Sequence, residues 1–182
     1  MNILALSGSL RTVSINSAFL RAVAQLAPAD MEVLVYPALG ELPLFNPDLD
    51  ADLPLAVRQF QQQVAHADAL LIASPEYAHG VTGVMKNALD WLVSFEPFAD
   101  KPVAVINTSP RAHHADEALR ETLRTMSANL IEAASVTVPL LGAKLDTAGM
   151  VSHPEISTTI HEILTVLQIF LQDLQIKGYN HA

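Results

Sequence analysis

Short uncharged apolar runs alternate along this chain with segments in which apolar residues recur every three or four positions. The apolar runs predict buried strands at 2–6, 31–36, 69–74, 102–108 and 135–138. The helical periodicity predicts helices that start near Ser14 and then span 55–65, 84–95, 117 to about 130, and 155–175. Five alternating strand–helix units, without an internal repeat, predict an α/β fold with a doubly wound parallel sheet.

Details of the pattern place the elements relative to one another. The third predicted strand is apolar throughout, which is typical of a central strand covered by helices on both faces. In the second predicted helix, we expect the three glutamines 61–63 to lie outside. Four prolines within 37–54 predict an irregular excursion, and Gly178 is expected to end the last helix. Ligands of such sheets bind at the carboxyl ends of the strands.

The loop after the first strand runs from Ser7 to Asn16 and leads directly into a helix. Free N–H groups and the dipole of a helix's first turn favour a negative charge there. Ser9, Ser14 and Asn16 add donors, and Arg11 adds a guanidinium suited to phosphate. We interpret the segment as a phosphate-binding loop. The simpler alternative is an ordinary strand–helix turn with Ser14 as its N-cap.

The loop after the third strand, 75–83, should neighbour the first loop in a doubly wound sheet. Its aromatic residue Tyr77, its backbone amides and its glycines suit a flat, phosphorylated ring system beside the phosphate-binding loop. The alternative for Tyr77 is an aromatic side chain that only covers the loop. We expect Trp91 to belong to the core and Asp90 to pair locally.

Composition narrows the possible classes of protein. A chain of 182 residues fits one domain that buries about 70% of its unfolded surface. The net charge of −9 argues against nucleic-acid and membrane partners, and the absence of cysteine excludes disulfides and thiolate chemistry. Without a leader-like segment or an 18-residue apolar run, a soluble cytoplasmic protein is expected.

The remaining polar clusters suggest little further chemistry. His113, His114 and Asp116 offer metal-ligand side chains, but adjacent loop histidines usually form polar surface, so no metal is expected. Arg111 suits either a nicotinamide-dinucleotide phosphate or plain solvent exposure. No nucleophile–base pair indicates hydrolysis, and no catalytic side chain is assigned.

Two segments carry a resemblance to a known family. Gly8–Asn16, together with Pro75-Glu76-Tyr77 and the following 86–92, resembles the NADPH-dependent FMN reductases, flavodoxin-like enzymes that include quinone, chromate and azo-dye reductases. The stretch 42–46 is similar to the family's link after its second strand. The resemblance implies a flavodoxin-like, five-stranded, three-layer α/β/α domain over 1–182.

The resemblance also implies FMN as cofactor and NADPH or NADH as electron donor. It places the FMN phosphate at Ser9, Arg11, Ser14 and Asn16, and the ring along 75–79. The full set of residues it implies is Ser9, Arg11, Ser14, Ile15, Asn16, Pro75, Glu76, Tyr77, Ala78, His79 and Ser109.

The chain departs from the family at two places. The family usually has asparagine after the Glu-Tyr pair, where this chain has Ala78 and His79. A flavin contact through backbone amides survives this change, whereas one through the asparagine side chain does not. The family's glycines after the fourth strand are replaced here by residues 110–114, Pro-Arg-Ala-His-His. The substrate side of the pocket is therefore expected to differ more than FMN binding.

The resemblance implies that the protein is an FMN-dependent NAD(P)H oxidoreductase. It is expected to pass electrons by ping-pong hydride transfer to quinone-like or other small acceptors, including free flavin, with the cofactor supplying the redox chemistry. A flavodoxin-type electron carrier is the alternative. A phosphoacceptor response regulator would need acidic residues after the first strand, where Ser7-Gly8-Ser9 stands.

Apolar residues spread around more than one face of the last predicted helix. They are Ile160, Ile163, Leu164, Val166, Leu167, Ile169, Phe170, Leu171 and Leu174. A helix that covers one face of a sheet needs only a stripe, so the pattern predicts a homodimer or homotetramer. The alternative is that the excursion 37–54 covers the extra apolar surface.

Overall fold

A parallel sheet of five strands organises the computed structural model, which describes residues 1–140 and 142–179. The strands are β1 Asn2–Ser7, β2 Glu32–Val35, β3 Ala69–Ala73, β4 Glu76–Tyr77, β5 Gly80–Val81, β6 Pro102–Ile106 and β7 Asn129–Leu130. The helices are α1 Ile15–Leu26, α2 Leu55–His66, α3 Gly83–Asp90, α4 His113–Thr125, α5 Thr147–Ser152 and α6 Pro154–Tyr179. β4 and β5 form a separate antiparallel hairpin.

The sheet has the order β2-β1-β3-β6-β7, with β3 in the centre as predicted. This is the flavodoxin-like order, in which the chain reverses direction across the sheet between β1 and β3. Ala5 of β1 pairs with Val35 on one side and Leu71 on the other. The carboxyl ends of β1 and β3 are therefore neighbours, and the loops that follow them share one edge.

Both faces of the sheet are covered, which explains why β1, β3 and β6 carry no charged residue. Side chains alternate across a strand, so Ile3 and Ala5 join the core cluster beneath α1 and α6. Leu4 and Leu6 join the opposite cluster beneath α2, α3 and α4. The result is the three-layer α/β/α arrangement expected from the sequence.

The prediction of the fifth strand was wrong. The fifth strand of the sheet is Asn129–Leu130, and the predicted segment 135–138 makes only an isolated bridge, between Thr137 and Asn107. The chain returns to the sheet edge directly after α4. There the Asn129 N–H donates to the Lys101 carbonyl, and the Ile131 N–H donates to the Val103 carbonyl. Both segments contain polar as well as apolar residues, and only the tertiary structure decides which one pairs.

Several helix ends also differ from the predictions. α3 ends at Asp90 rather than at 95, and α4 spans His113–Thr125 instead of 117 to about 130. α4 ends where Ser127 adopts a left-handed φ of 60°, a conformation that cannot continue a right-handed helix. Gly178 does not stop the last helix, which continues to Tyr179.

The excursion 37–54 is held against α3 by specific bonds rather than left loose. It contains two short 3-10 turns, Leu39–Glu41 and Pro47–Asp52. The buried Trp91 donates from Nε1 to the Pro43 carbonyl at 2.8 Å, and the Asn87 side chain accepts from the Phe45 N–H at 2.8 Å. Trp91 is thus a core residue, as predicted.

Gln61 is an exception to the expected exposure of the three glutamines. It is buried, and its amide donates to the Trp91 carbonyl at 2.9 Å. This bond satisfies a carbonyl beyond the end of α3, where the helix offers no further partner.

α6 presents a buried stripe to the core. Its buried apolar residues are Ile156, Ile160, Ile163, Leu164, Leu167 and Leu171. Ile169 is 54% exposed and Ile176 is 61% exposed, so part of its apolar surface is uncovered. Within 1–140 and 142–179, no helix has the length and apolar character required to cross a membrane.

Candidate functional site

A cavity of about 340 Å³ opens at the carboxyl edge of the sheet, between the loops that follow β1, β3 and β6. Its lining residues are Ser9, Arg11, Ser14, Ile15, Asn16, Ser74, Pro75, Glu76, Tyr77, Asn107, Thr108, Ser109, Arg111 and Ala112. A cavity of this size lies within the range of small-molecule sites. Its position beside the β1–β3 switch point is the expected ligand position for this sheet.

The loop after β1 leads into α1 through the N-cap that the sequence predicted. Ser14 is the N-cap of α1, and its Oγ accepts from the Ser17 N–H at 3.2 Å. The Ile15 and Asn16 amides lie in the first turn, where no intrahelical acceptor is available. Arg11 is exposed, and no carboxylate of the described residues lies within 4.0 Å of its guanidinium.

Gly8 permits the loops after β1 and β3 to touch. A Cβ atom at this position would lie 2.2 Å from Ser74 Oγ and 2.7 Å from Ser74 Cβ. The Gly8 N–H extends the strand pairing by donating to the Ala73 carbonyl at 2.9 Å. Only glycine allows this close approach of the two loops.

A buried polar pair joins α1 to the loop after β6. Thr108 Oγ1 donates to Asn16 Oδ1 at 2.9 Å, and both side chains are 3% exposed. Asn107 shapes the same loop, since its Oδ1 accepts from the Ser109 N–H at 2.9 Å. Sequence analysis did not select Asn107 or Thr108. The available signal was their place directly after a buried strand, at the ligand-binding edge of the sheet.

The hairpin β4–β5 has an unusual turn. Ala78 and His79, its two central residues, have left-handed φ angles of 50° and 59°. A two-residue hairpin turn with two positive φ angles is normally made by Asn-Gly or Asp-Gly, because other side chains are strained there. The departure from the family's asparagine therefore falls in the turn itself.

Ala78 and His79 do not line the cavity, because the hairpin carries them past its edge. The other nine residues that the resemblance implied do line it. Ser74, Asn107, Thr108, Arg111 and Ala112 complete the lining. The cavity wall after β6 is thus larger than the single residue Ser109 predicted.

Glu76 ties the hairpin to the start of α4. Its Oε2 accepts from the Ala115 N–H at 2.9 Å, and its Oε1 lies 2.9 Å from His79 Nδ1. The pKa of Glu76 is lowered from its ordinary value, first by the Ala115 backbone N–H and further by His79. Glu76 is thereby held as a carboxylate at the edge of the cavity.

His113 and His114 lie in the first turn of α4, whereas the sequence predicted a loop at these positions. The His114 ring centroid is 4.0 Å from that of His113 and 4.5 Å from that of His79. Asp116 pairs with Arg120 Nε at 2.8 Å. In the described part of the chain, no three His, Asp or Glu side chains are placed to share a metal ion.

Comparison with known proteins places the chain among flavin-dependent reductases. The family model described as NADPH-dependent FMN reductase matches residues 1–141. An NAD(P)H-dependent FMN reductase of Pseudomonas aeruginosa is 33% identical over 181 residues, covering 96% of this chain and 97% of that protein. The quinone reductase of Escherichia coli K12 is 36% identical over 113 residues, which are 60% of each chain.

A solved structure extends the similarity to the fold. The flavoenzyme NAD(P)H:(acceptor) oxidoreductase of Paracoccus denitrificans superposes with a TM-score of 0.79 at 26% identity. The superposition covers 94% of this chain and 97% of the other.

The charge of Glu76 predicts a pH-dependent contribution to stability. Glu76→Gln removes the charge and keeps the length of the side chain. Because the folded-state pKa is lowered, the stabilisation by the carboxylate is complete above the ordinary value of 4.5 and is lost as the pH falls through the lowered pKa. We expect the variant to be less stable than the wild type at neutral pH, and the difference to shrink in acid.

Urea unfolding from neutral pH into acid measures the difference in unfolding free energy between Glu76→Gln and the wild type. Glu162→Gln is the matched control, since Glu162 is exposed on α6 and has no ion pair among the described residues. A difference for Glu76→Gln that stays constant at every pH would mean that shape, not charge, matters at this position.

Proposed function

The chain belongs to the NADPH-dependent FMN reductase family and is an FMN-dependent NAD(P)H oxidoreductase, and we propose that it reduces quinone-like or other small acceptors, including free flavin, in a single site that donor and acceptor use in turn. The observation that carries this proposal is the cavity at the carboxyl edge, which combines an anion-binding helix terminus with a partly apolar wall. The Escherichia coli relative, a quinone reductase, supports the class of acceptor.

The residues of the first loop fit the phosphate of FMN. The first turn of α1 offers backbone N–H groups, and the buried hydroxyls of Ser9 and Ser14 line the same part of the cavity. Arg11 supplies a guanidinium that no carboxylate of the described residues neutralises. In a protein with a net charge of −9, such a local cation is needed to hold a dianion.

The other two loops fit a flat ring. Pro75 and Tyr77 provide apolar surface, and Ser109 and Thr108 add polar groups on the opposite wall. Gly8 lets the first two loops lie close enough to form one continuous surface. When bound, FMN supplies the redox chemistry by accepting two electrons from NAD(P)H and releasing them to the acceptor.

The protein's own contribution is binding and positioning. Glu76 and Asn107 fix the loops around the cavity through hydrogen bonds to backbone N–H groups. With FMN in this cavity, its mouth is the place from which the donor and the acceptor would each reach the flavin, so each must depart before the other binds. That constraint favours a ping-pong order.

We also propose that the whole chain 1–182 forms one domain, acts in the cytoplasm where NAD(P)H is available, and assembles as a homodimer or homotetramer. α6 lies beyond the segment matched by the family model, yet Ile160 and Leu167 pack into the core cluster beneath β1. Ile169 and Ile176 leave apolar surface exposed on the same helix, which supports an interface between subunits.

Arg11→Ala is expected to weaken FMN binding more than it affects folding. Loss of a charge-assisted contact of about 1.5–3 kcal/mol lowers affinity roughly tenfold to more than a hundredfold. Titration of the apoprotein with FMN and with riboflavin measures the effect, and riboflavin binding should barely change. Arg58→Ala, at an exposed position on α2, is the control. Equal losses for both ligands would place Arg11 away from the phosphate.

Steady-state kinetics test the order of binding. With NADPH and a quinone both varied, double-reciprocal plots should give parallel lines, because the two substrates never occupy the site together. Intersecting lines would show a ternary complex and refute the single-site order. A flavodoxin-type carrier would give no NADPH oxidation in the same assay.

Light scattering tests the assembly. We expect the mass of a dimer or a tetramer of the 19.6 kDa chain across micromolar concentrations. A monomer mass throughout that range would contradict the proposed interface on α6.

A further inference from the structure

Three imidazoles gather just outside the cavity mouth. His79 arrives on the β4–β5 hairpin, and His113 and His114 arrive on the first turn of α4. The rings of His79 and His113 both lie against His114, with centroid distances of 4.5 Å and 4.0 Å. We call these three residues the histidine rim. Arg111, two residues before it, lines the cavity itself.

The rim is a local concentration of N–H-donating groups beside the Arg111 guanidinium, on an acidic protein. Two nearby carboxylates are already engaged, since Glu76 is bonded to the Ala115 N–H and to His79, and Asp116 is paired with Arg120. Glu117, exposed on α4, forms no ion pair with the rim. Within the described residues, no carboxylate lies within 4.0 Å of Arg111, His113 or His114. Their donors are available to an external anion.

The backbone conformation of His79 supports a functional role for its side chain. It sits at a φ of 59°, where glycine or asparagine is normally found, and it is held there by the Glu76 carboxylate and the His114 ring. Strained backbone of this kind persists where the surroundings fix it, and it is concentrated at functional sites. Here the strain places an imidazole on the rim.

The size of the cavity indicates what the rim meets. A volume of about 340 Å³ matches the lower end of single small-molecule sites. This volume admits one small molecule, which the proposed function makes FMN, so a nicotinamide dinucleotide can bring only its ring to the mouth and must leave its phosphate groups outside. The rim and Arg111 border the mouth on the α4 side.

We propose that His79, His113 and His114, together with Arg111, bind the phosphate groups of NAD(P)H. This inference rests on the proposed function, because it concerns the electron donor of the same site. A neutral imidazole donates one N–H bond, and a protonated one donates two and adds a charge. The Arg111 guanidinium offers the fork geometry that suits a phosphate. Two phosphate groups have this chemistry. One is the pyrophosphate, which NADH and NADPH both contain, and the other is the 2′-phosphate, which only NADPH contains.

The test uses the FMN-loaded protein and four variants. The double variant His113→Gln with His114→Gln removes two exposed imidazoles from the first turn of α4. His79→Asn removes the third, and asparagine tolerates the left-handed turn. Arg111→Gln removes the guanidinium. His66→Gln is the control, because His66 lies at the end of the sheet opposite to the cavity. It ends α2, two residues before Asp68, whose carboxylate accepts from the Asn2 N–H at the start of β1.

Two readouts are compared in each protein. Calorimetric titration with ADP-ribose and with 2′-phospho-ADP-ribose measures binding of the phosphates without any turnover. The KM values for NADPH and NADH, with menadione as acceptor, measure the same contacts in the working enzyme. We expect the histidine double variant to weaken fragment binding and raise KM about three- to tenfold, as for the loss of two weak, solvent-exposed contacts. His66→Gln should match the wild type.

The pattern of losses identifies the phosphate. Losses confined to NADPH and 2′-phospho-ADP-ribose assign the rim to the 2′-phosphate, and equal losses for both donors assign it to the pyrophosphate. Unchanged fragment affinities and KM values in all rim variants would overturn the inference, as would a wild type that binds neither fragment. A wild type that oxidises no NAD(P)H with any quinone would instead overturn the proposed function.

Discussion

The parallel pairing of β1 with β3 is the constraint on which the rest of this structure depends. It brings the ends of two uncharged strands to the same edge, and the Gly8 N–H continues the pairing one residue beyond β1. Because Gly8 has no side chain, Ser74 can lie where a Cβ would otherwise clash. The loop that leads into α1 and the loop that forms the hairpin therefore meet in one cavity. β6, the next strand in the order, adds the third wall through Asn107 and Thr108.

The electrostatics of the site oppose those of the whole molecule. The chain carries a net charge of −9, so the average field repels the phosphates of both FMN and NAD(P)H. Arg11 and Arg111 line the cavity beside the first turn of α1, and at short range a local cation outweighs distant screened charges. Glu76 is the carboxylate that lines the cavity, and its two oxygens are taken up by the Ala115 N–H and by His79 Nδ1. Positive and donor groups thus dominate inside an acidic protein.

The departures from the family pattern lie together in space although they are separate in sequence. Ala78 and His79 replace a residue type suited to the turn, and His113 and His114 stand where the family has glycines. The structure joins these two regions through Glu76, which reaches from the hairpin to α4. The strained turn of the hairpin and the histidine-containing first turn of α4 therefore form one local unit. The loop between β1 and α1, by contrast, keeps the pattern that carries the resemblance.

Local patterns in the sequence determined the elements whose chemistry is local. Uncharged runs identified β1, β3 and β6, because strands buried on both faces tolerate no charge. Ser14 marked the start of α1, because an N-cap acts through its own backbone neighbours. The motif residues of the first loop and 75–77 line the cavity because they directly follow those strands.

Only the tertiary structure decided the features that depend on distant partners. Asn129–Leu130 rather than 135–138 forms the edge strand, since its backbone bonds to Lys101 and Val103 at the start of β6 while 135–138 makes only a bridge to Asn107. Gln61 is buried because Trp91 offers a carbonyl 30 residues away in the chain. Asn16 and Thr108 are 92 residues apart and form one buried bond. The histidine rim joins residues from two elements, and no spacing in the sequence relates them. Composition and periodicity report on neighbours along the chain, whereas these contacts are set by the folding of the sheet.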